Sequence, residues 1–326
     1  MKKVLIAILL LGLLPHASAD YIHWVDFRLS APVLRSALEL DMASQGGEQP
    51  LDWIDILALA AAWRGGTGVT VADTQRAAQA LRGDTPPERL PGMAGRYFSY
   101  YREAYGAALG GLAGHFAIRR TDPQTGEAEW IPAYGLKAFS PIAAGYPWSH
   151  YPDFGAQRSY GYARPHLGND ILGALGTPIC AVEGGTVEAL GWNRYGGWRI
   201  GIRSDDRKRY YYYAHLRKDT PYAEGLAVGQ RVQAGDVIGF MGRTGYSTQE
   251  NVNNIETVHL HFGLQLIFDE SQKECDSEIW IDVYPLIELL ASHCSSVARD
   301  PQTGRWERLY PYCDLDAEPI RSAAAR

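Results

Sequence analysis

"VHLHFGL", residues 258–264, alternates apolar and polar side chains with a period of two. On a strand that alternation sends Leu260 and Phe262 to one face and His259 and His261 to the other. One face can enter a core; the other carries two imidazoles side by side and needs a reason. The surrounding texture agrees with a sheet. From about Phe116 onward the chain breaks into short β-branched and aromatic runs punctuated by Gly, Pro, Asn and Asp, among them "TPICAVEGGTVEALGWN", "WRIGIRSDDRKRYYYYAHL" and "GQRVQAGDVIGFMGRTG". Closely spaced turn signals between such runs predict an antiparallel sheet or barrel-like sandwich. The tetrad Tyr210–Tyr213 reads as one strand with two rings inward and two outward, a cheaper explanation than a binding surface. "DDRKR" at 205–209 reads as the turn before it.

The first half is different. "PVLRSALELDMA", "PLDWIDILALAAAWRGG" and "VTVADTQRAAQALRGD" have helical periodicity, with Leu51, Ile54, Leu57 and Ala61 near 3.6-residue spacing. Asp73 is placed to cap the third helix and Gly83 to end it. "GRYFSYYREAYGAALGGLAG" predicts a further, loosely packed helix. Asp52 and His115 stand alone beside apolar runs and read as structural. The fold class expected is therefore α+β: a helical N-terminal region at 20–115, a connecting segment at 116–163, a β-rich domain at 164–292 and a tail at 293–326.

Residues 1–19 have the two lysines, apolar run and Ala17-Ser18-Ala19 site of a secretory signal peptide. Removing them takes the net charge from −6 to about −8. The apolar run is too short to span a bilayer as a stop-transfer helix, so no transmembrane segment is expected after cleavage, and the mature chain is expected in the periplasm or outside the cell. No basic cluster suits a nucleic acid. Four cysteines, Cys180, Cys275, Cys294 and Cys313, would meet an oxidising compartment. Cys180 sits in what reads as a buried strand, so one bridge among the other three is the plain expectation, with the pairing itself unassigned.

"RPHLGNDILG", residues 164–173, adds His166 and Asp170, separated by three residues including Gly168, which lets the chain bend without a side chain in the way. Imidazole nitrogen and carboxylate oxygen both suit zinc, and two histidines with one acid leave a fourth position open, the pattern of a catalytic site. Neither HxxxD nor HxH is specific alone. In combination and in order, "HLGNDI", "GTPICAVEGGTVEALGW", "YYAHL", "VGQRVQAGDVIGFMGRTGYST" and "VHLHFGL" closely resemble the zinc-dependent peptidoglycan endopeptidases of the lysostaphin and LytM type, the M23 peptidase family. The resemblance runs from about Arg164 to Leu266. It implies one zinc per chain held by His166, Asp170 and His261, with His215 and His259 as unligated catalytic histidines and peptidoglycan peptides as substrate. It leaves open which of the two histidines is the general base. It also admits a second function: some members of the family have lost ligands and act as non-catalytic regulators that bind and activate other wall hydrolases. All five positions are filled here, which favours the enzyme. A third reading, a secreted binding module with satisfied surface histidines, has to treat the ordered motifs as coincidence.

The chain departs from the family pattern at two places. It inserts "QENVNNIET" at 249–257, leaving Val258 where the family has proline, and it has Gly263 where the family often has Glu. The insertion is expected to form one wall of the substrate groove, since a polar loop entering directly onto the histidine strand lies close to the metal.

Overall fold

A computed structural model describes residues 21–159, 163–273 and 277–317. The predicted signal peptide lies outside these residues, as does Cys275.

Four helices open the described chain: α1 (Ala31–Ser44), α2 (Trp53–Arg64), α3 (Val71–Leu81) and α4 (Met93–Leu109). Helix α2 is apolar on every side and eight of its twelve residues are buried, which makes it the centre of the bundle. Its ends are punctuated as the chemistry requires. Asp52 accepts from the Ile54 amide at the start, and Gly65 takes the left-handed conformation at φ 63° at the end. The cap of α3 is Thr70 rather than Asp73: the Thr70 hydroxyl accepts from the Asp73 amide while the Asp73 carboxylate reaches back to the Thr70 amide, a reciprocal capping box. Asp73 was the right residue in the wrong role, and its other partner is Arg64. Helix α4 is not loose. Phe98, Tyr101, Tyr105 and Leu109 are all buried, because it packs lengthwise on α2.

The strands follow. β1 (Ala113–Thr121) and β2 (Ala128–Leu136) form a hairpin, and then come β3 (Trp148–His150), β4 (Gln157–Ser159), β5 (Ala163–Pro165), β6 (Asn169–Gly173) and β7 (Pro178–Cys180). β8 (Gly185–Asn193), β9 (Gly197–Ser204), β10 (Arg209–Ala214), β11 (Arg231–Val232), β12 (Val237–Phe240), β13 (His259–Leu266) and β14 (Ile279–Trp280) complete the central region. Helix α5 (Tyr284–Leu290) leads to β15 (Val297–Arg299), β16 (Trp306–Arg308) and β17 (Tyr312–Asp314), the last returning to pair with β1. The fold is thus α+β, a helical N-terminal region followed by antiparallel sheet.

The main sheet runs β11-β8-β9-β10-β13-β6-β3, with β14 also paired to β13. Its two faces are chemically opposite. Ile200, Ile202, Tyr211, Tyr213, Leu260, Phe262 and Leu264 are all fully buried on the inner face, continuous with the helical core. Register explains the sorting: Tyr213 faces Phe262 and Tyr211 faces Leu264, whereas Tyr212 faces Gly263 and Ala214 faces His261 on the outer side. Inner Tyr213 accepts from the Val182 amide and inner Tyr211 donates to Glu183, so neither phenol is left unsatisfied. The tyrosine alternation is as expected, and the outward pair, Tyr210 and Tyr212, lines a cavity.

Arg209 ties the halves together. Only 1% exposed, it pairs with Glu183 through Nε and Nη2 and donates through Nη1 to the Ala107 carbonyl at the end of α4. Among the described residues Cys180, Cys294 and Cys313 are free thiols, so Cys294 and Cys313 do not bridge each other; Cys275, the third candidate for the expected bridge, lies outside the described residues. Cys313 is held in β17 by its pairing with Ala117, while Cys294 lies past α5 and donates to the Ala291 carbonyl.

Arg209→Ala leaves the Glu183 carboxylate buried without its cation and should cost about 3–5 kcal/mol in denaturant unfolding. Replacing both partners by apolar residues, Arg209→Met with Glu183→Leu, should cost less than the single change. A single variant as stable as the parent would remove the pair from the structural role assigned to it.

Candidate active site

The outer face of the sheet gathers the histidines because of one register. On β13, His261 stands opposite Asp170 on β6 and opposite Ala214 on β10. His166 arrives from the turn after β5, its backbone pinned by bonds to Ala156 and Gly155. His166 Nε2, Asp170 Oδ1 and His261 Nδ1 then converge: the separations are 2.7 Å between the two nitrogens, 3.0 Å from Asp170 to His166 and 3.1 Å from Asp170 to His261. These three side chains offer ligand atoms within 4.8 Å of one another. A tetrahedral ion with bonds of about 2.0–2.1 Å needs its ligand atoms about 3.3 Å apart, so a small outward relaxation fits zinc.

The donor set is also supported behind. His166 turns its Nδ1 to Asp153, 3.1 Å from Oδ2, which leaves Nε2 with its lone pair facing the other two ligands. Asp153 is 4% exposed and takes Arg158 and Asn169 as well. Arg158 in turn reaches Asp170 Oδ2 at 3.2 Å, so the carboxylate oxygen that does not face the histidines is occupied. Burial pushes the Asp170 carboxyl up, but hydrogen bonds from His166 and His261 together with the His261 and His259 imidazoles hold it far below the usual carboxylate range. Burial likewise lowers His261, against the pull of Asp170, and favours the neutral imidazole that a metal requires.

Gly168 has a sharper role than chain flexibility. A Cβ there would sit 2.7 Å from both Cε1 and Nε2 of His261 and from the Phe262 carbonyl. The bare glycine lets the turn lie directly on the ligand imidazole.

His215 and His259 face the same space, their rings 4.8 Å apart. His215 follows β10 in the left-handed conformation, φ 62°, which swings its ring out of the strand's alternation. Its Nδ1 donates to the Thr244 carbonyl and that of His259 to the Thr257 carbonyl, so in the neutral rings each Nε2 is the free acceptor. His259 Nε2 lies 3.7 Å from Asp170 Oδ1. Burial, followed by the neighbouring His259 and His261, holds His215 well below an ordinary imidazole. All five residues picked out by sequence are therefore brought together. Asp153 and Arg158, which orient the ligands, were missed; nothing in "YPDFGAQRS" marks them, since their partners are supplied only by the fold.

The cavity around this cluster has a volume of about 600 Å³ and extends from the histidines along Tyr212 to Gln265 and Trp280. The insertion is not one of its walls. No residue of 249–257 lines it, because Asn251 and Asn254 turn the loop back onto the scaffold. Asn251 bonds Trp198 and Asp219, and Asn254 donates to the Tyr246 carbonyl. The loop buttresses Tyr246, which does line the cavity. Gly263 has a visible reason: a Cβ there would come within 2.8 Å of the Trp280 ring, which packs over it as a wall.

Part of the chain is similar to known proteins. Residues 164–274 match Peptidase family M23. The L-Ala--D-Glu endopeptidase of Bacillus subtilis is 40% identical over 130 residues, 40% of this chain and 38% of that protein. The glycyl-glycine endopeptidase ALE-1 of Staphylococcus capitis is 39% identical over 98 residues, 30% of this chain and 24% of that protein. A solved structure from Ruminococcus gnavus, of a proposed glycyl-glycine endopeptidase lytM, is 26% identical and covers 82% of this chain and 91% of its own, with a TM-score of 0.48. The chain spans well under half the length of these two curated relatives.

Two outcomes are expected. Gly168→Ala, by forcing the turn off His261, should weaken zinc binding on the order of tenfold or more in a chelator competition while the fold persists by circular dichroism; unchanged affinity would show that the contact is tolerated. Because the folded pKa of His215 lies below its unfolded value of about 6.5, the unfolded chain takes the proton first, and stability from this group falls as pH drops below about 6.5. An NMR titration should find the His215 ring neutral at pH 6, and a protonated ring there contradicts the burial argument.

Proposed function

We propose, from the premise that residues 164–274 form a peptidase family M23 domain, that this chain is a zinc-dependent endopeptidase of the cell envelope acting on peptidoglycan peptides. One observation carries the reading: three ligand side chains converge on a point beside two further imidazoles whose free Nε2 atoms face the same cavity.

His166, Asp170 and His261 would hold the ion. Zinc bound there supplies Lewis acidity to an attacking water and to the scissile carbonyl. The remaining work falls to the chain. Asp153 and Arg158 fix the ligands so that little reorganisation is needed during reaction. His215 and His259 share the proton transfers through Nε2. One neutral imidazole accepts a proton from the attacking water, and an imidazolium returns one to the leaving amine. Burial keeps His215 neutral and able to accept, and its anchor to the Thr244 carbonyl keeps Nδ1 protonated throughout. The outer-face aromatics, Tyr212 and Trp280, give an extended peptide a floor and a wall. The neighbouring reading, a regulator that binds without cutting, gains nothing from a ligand set that is complete.

The mature protein should hold about one zinc per chain by elemental analysis, and Asp170→Ala should lower occupancy sharply. Full zinc in that variant would remove Asp170 from the ligand set. His215→Ala and His259→Ala should retain zinc yet lose release of peptides from purified walls by about 10²-fold or more, read by mass spectrometry of the products. A zinc-loaded parent protein that binds walls and releases no peptide from any wall type would replace the enzyme by the regulator.

A further inference from the structure

Beyond the candidate metal ligands, four cations among the described residues line the cavity, Arg158, Arg164, Arg199 and Lys273, in a chain whose net charge is −6. Two of them are spoken for. Arg158 pairs with Asp153 and Asp170, and Lys273 with Glu188. Arg164 and Arg199 have no carboxylate partner among the described residues. Arg164 lies 4.5 Å over the Tyr195 ring and shares a 3.4 Å hydrogen bond with the Tyr246 hydroxyl, contacts that position a cation without neutralising it. Arg199 is barer still. Its Nε is buried and has no hydrogen-bond partner, the kind of orphaned donor a folded chain seldom tolerates without a use. Among the described residues the one acid lining the cavity besides Asp170, Glu278, is occupied by the Trp280 indole at 2.7 Å.

The register says where these charges fall. On β9, Ile200 faces Tyr213, so Arg199 comes next in line with Ala214, and Ala214 faces His261, which faces Asp170. Arg199 therefore stands in the row of the metal ligands, two strand spacings from His261, roughly 10 Å along the outer face. Arg164, Arg199 and Tyr212 line the same cavity. Glycine keeps this stretch open. A Cβ at Gly196 would fall within bonding reach of the Tyr212 hydroxyl, and one at Gly201 would strike the Tyr210 ring.

We propose that Arg199, aided by Arg164, forms a carboxylate subsite, so that this site selects a peptide bearing an anionic group about two or three residues from the bond that is cut. The proposal rests on the peptidase reading for the bond and on the groove alone for the anion. A guanidinium can hold a carboxylate through two parallel hydrogen bonds, which a lysine or an amide cannot reproduce. An uncharged glycine-only segment offers such a subsite nothing and leaves both cations unpaired.

The test uses the zinc-loaded protein and two synthetic peptides that differ in one side chain, a free carboxylate in one and its carboxamide in the other. The carboxylate peptide should be cleaved with a kcat/KM higher by about tenfold or more, with the difference in KM, the scale of a charge-assisted hydrogen bond. Arg199→Gln should bring the ratio toward one, and Arg199→Lys should restore part of it. A parent ratio near one, or an Arg199→Gln protein that loses activity equally on both peptides, overturns the subsite. If neither peptide is cut, equilibrium binding of the same pair decides. Tighter binding of the carboxylate peptide that Arg199→Gln abolishes keeps the subsite and discards the peptidase reading, whereas equal binding discards the subsite.

Discussion

Everything at the cleft depends on the register between β6 and β13. Because His261 is paired directly with Asp170, an acid and an imidazole from residues 91 apart are delivered to the same face of one sheet at contact distance. A slip of one residue would move His259 and His261 into the core and Leu260 and Phe262 into solvent. The burial of those two side chains is therefore what holds the candidate metal ligands in place: apolar packing on one face sets polar geometry on the other. Asp153 then converts placement into orientation, since a histidine whose Nδ1 is held can present only Nε2.

The outer face has traded strand propensity for space. Gly201 and Gly263 sit on either side of Tyr212 in the register, and neither would be chosen for a strand interior. Each is required by a ring lying across it, Tyr210 over Gly201 and Trp280 over Gly263. The loss of local side-chain packing is made good by large aromatic surfaces that face the cavity rather than the core. At Gly263 the family pattern often has an acid. Here the Trp280 ring takes that space, and Glu278, which lines the same cavity, accepts from the Trp280 indole.

Much of this was legible in advance and some was not, for reasons that differ by residue. His259 and His261, the tyrosine run and the apolar helix α2 were readable because a period of 2 or 3.6 is written along the chain itself. Local capping was nearly readable, although Thr70 and Asp73 exchange roles in a reciprocal box that either could have opened. Asp153, Arg158 and Arg209 were not readable, since each acts through partners supplied from distant parts of the chain, and a lone acid or arginine looks like any surface charge. The return of β17 to β1, and with it the seat of Cys313, is likewise a pairing across some two hundred residues that no local pattern announces. The insertion failed for another reason. Proximity along the chain to His259 suggested proximity to the cleft, but two of its asparagines carry the loop backward, Asn251 onto Trp198 and Asp219 and Asn254 onto the Tyr246 carbonyl.

The helical half also has a place in this arrangement. Arg209 closes the C-terminal end of α4 with Glu183, and Glu183 accepts the Tyr211 hydroxyl on the inner face, directly behind the row that carries Tyr212. On the opposite flank, Asp41 of α1 is fully buried and takes the Tyr134 hydroxyl of the β1–β2 hairpin together with the Trp53 amide at the start of α2. Burial pushes that carboxyl up, and the three donors around it work against the shift. Two buried acids thus fasten the helices to the β-rich half, one behind the groove and one at the hairpin. Neither bond reaches the cavity. Their consequence for it is stiffness: a sheet braced from behind can hold the converging side chains of its outer face in place while leaving that face free of the packing that would otherwise be needed to hold it flat.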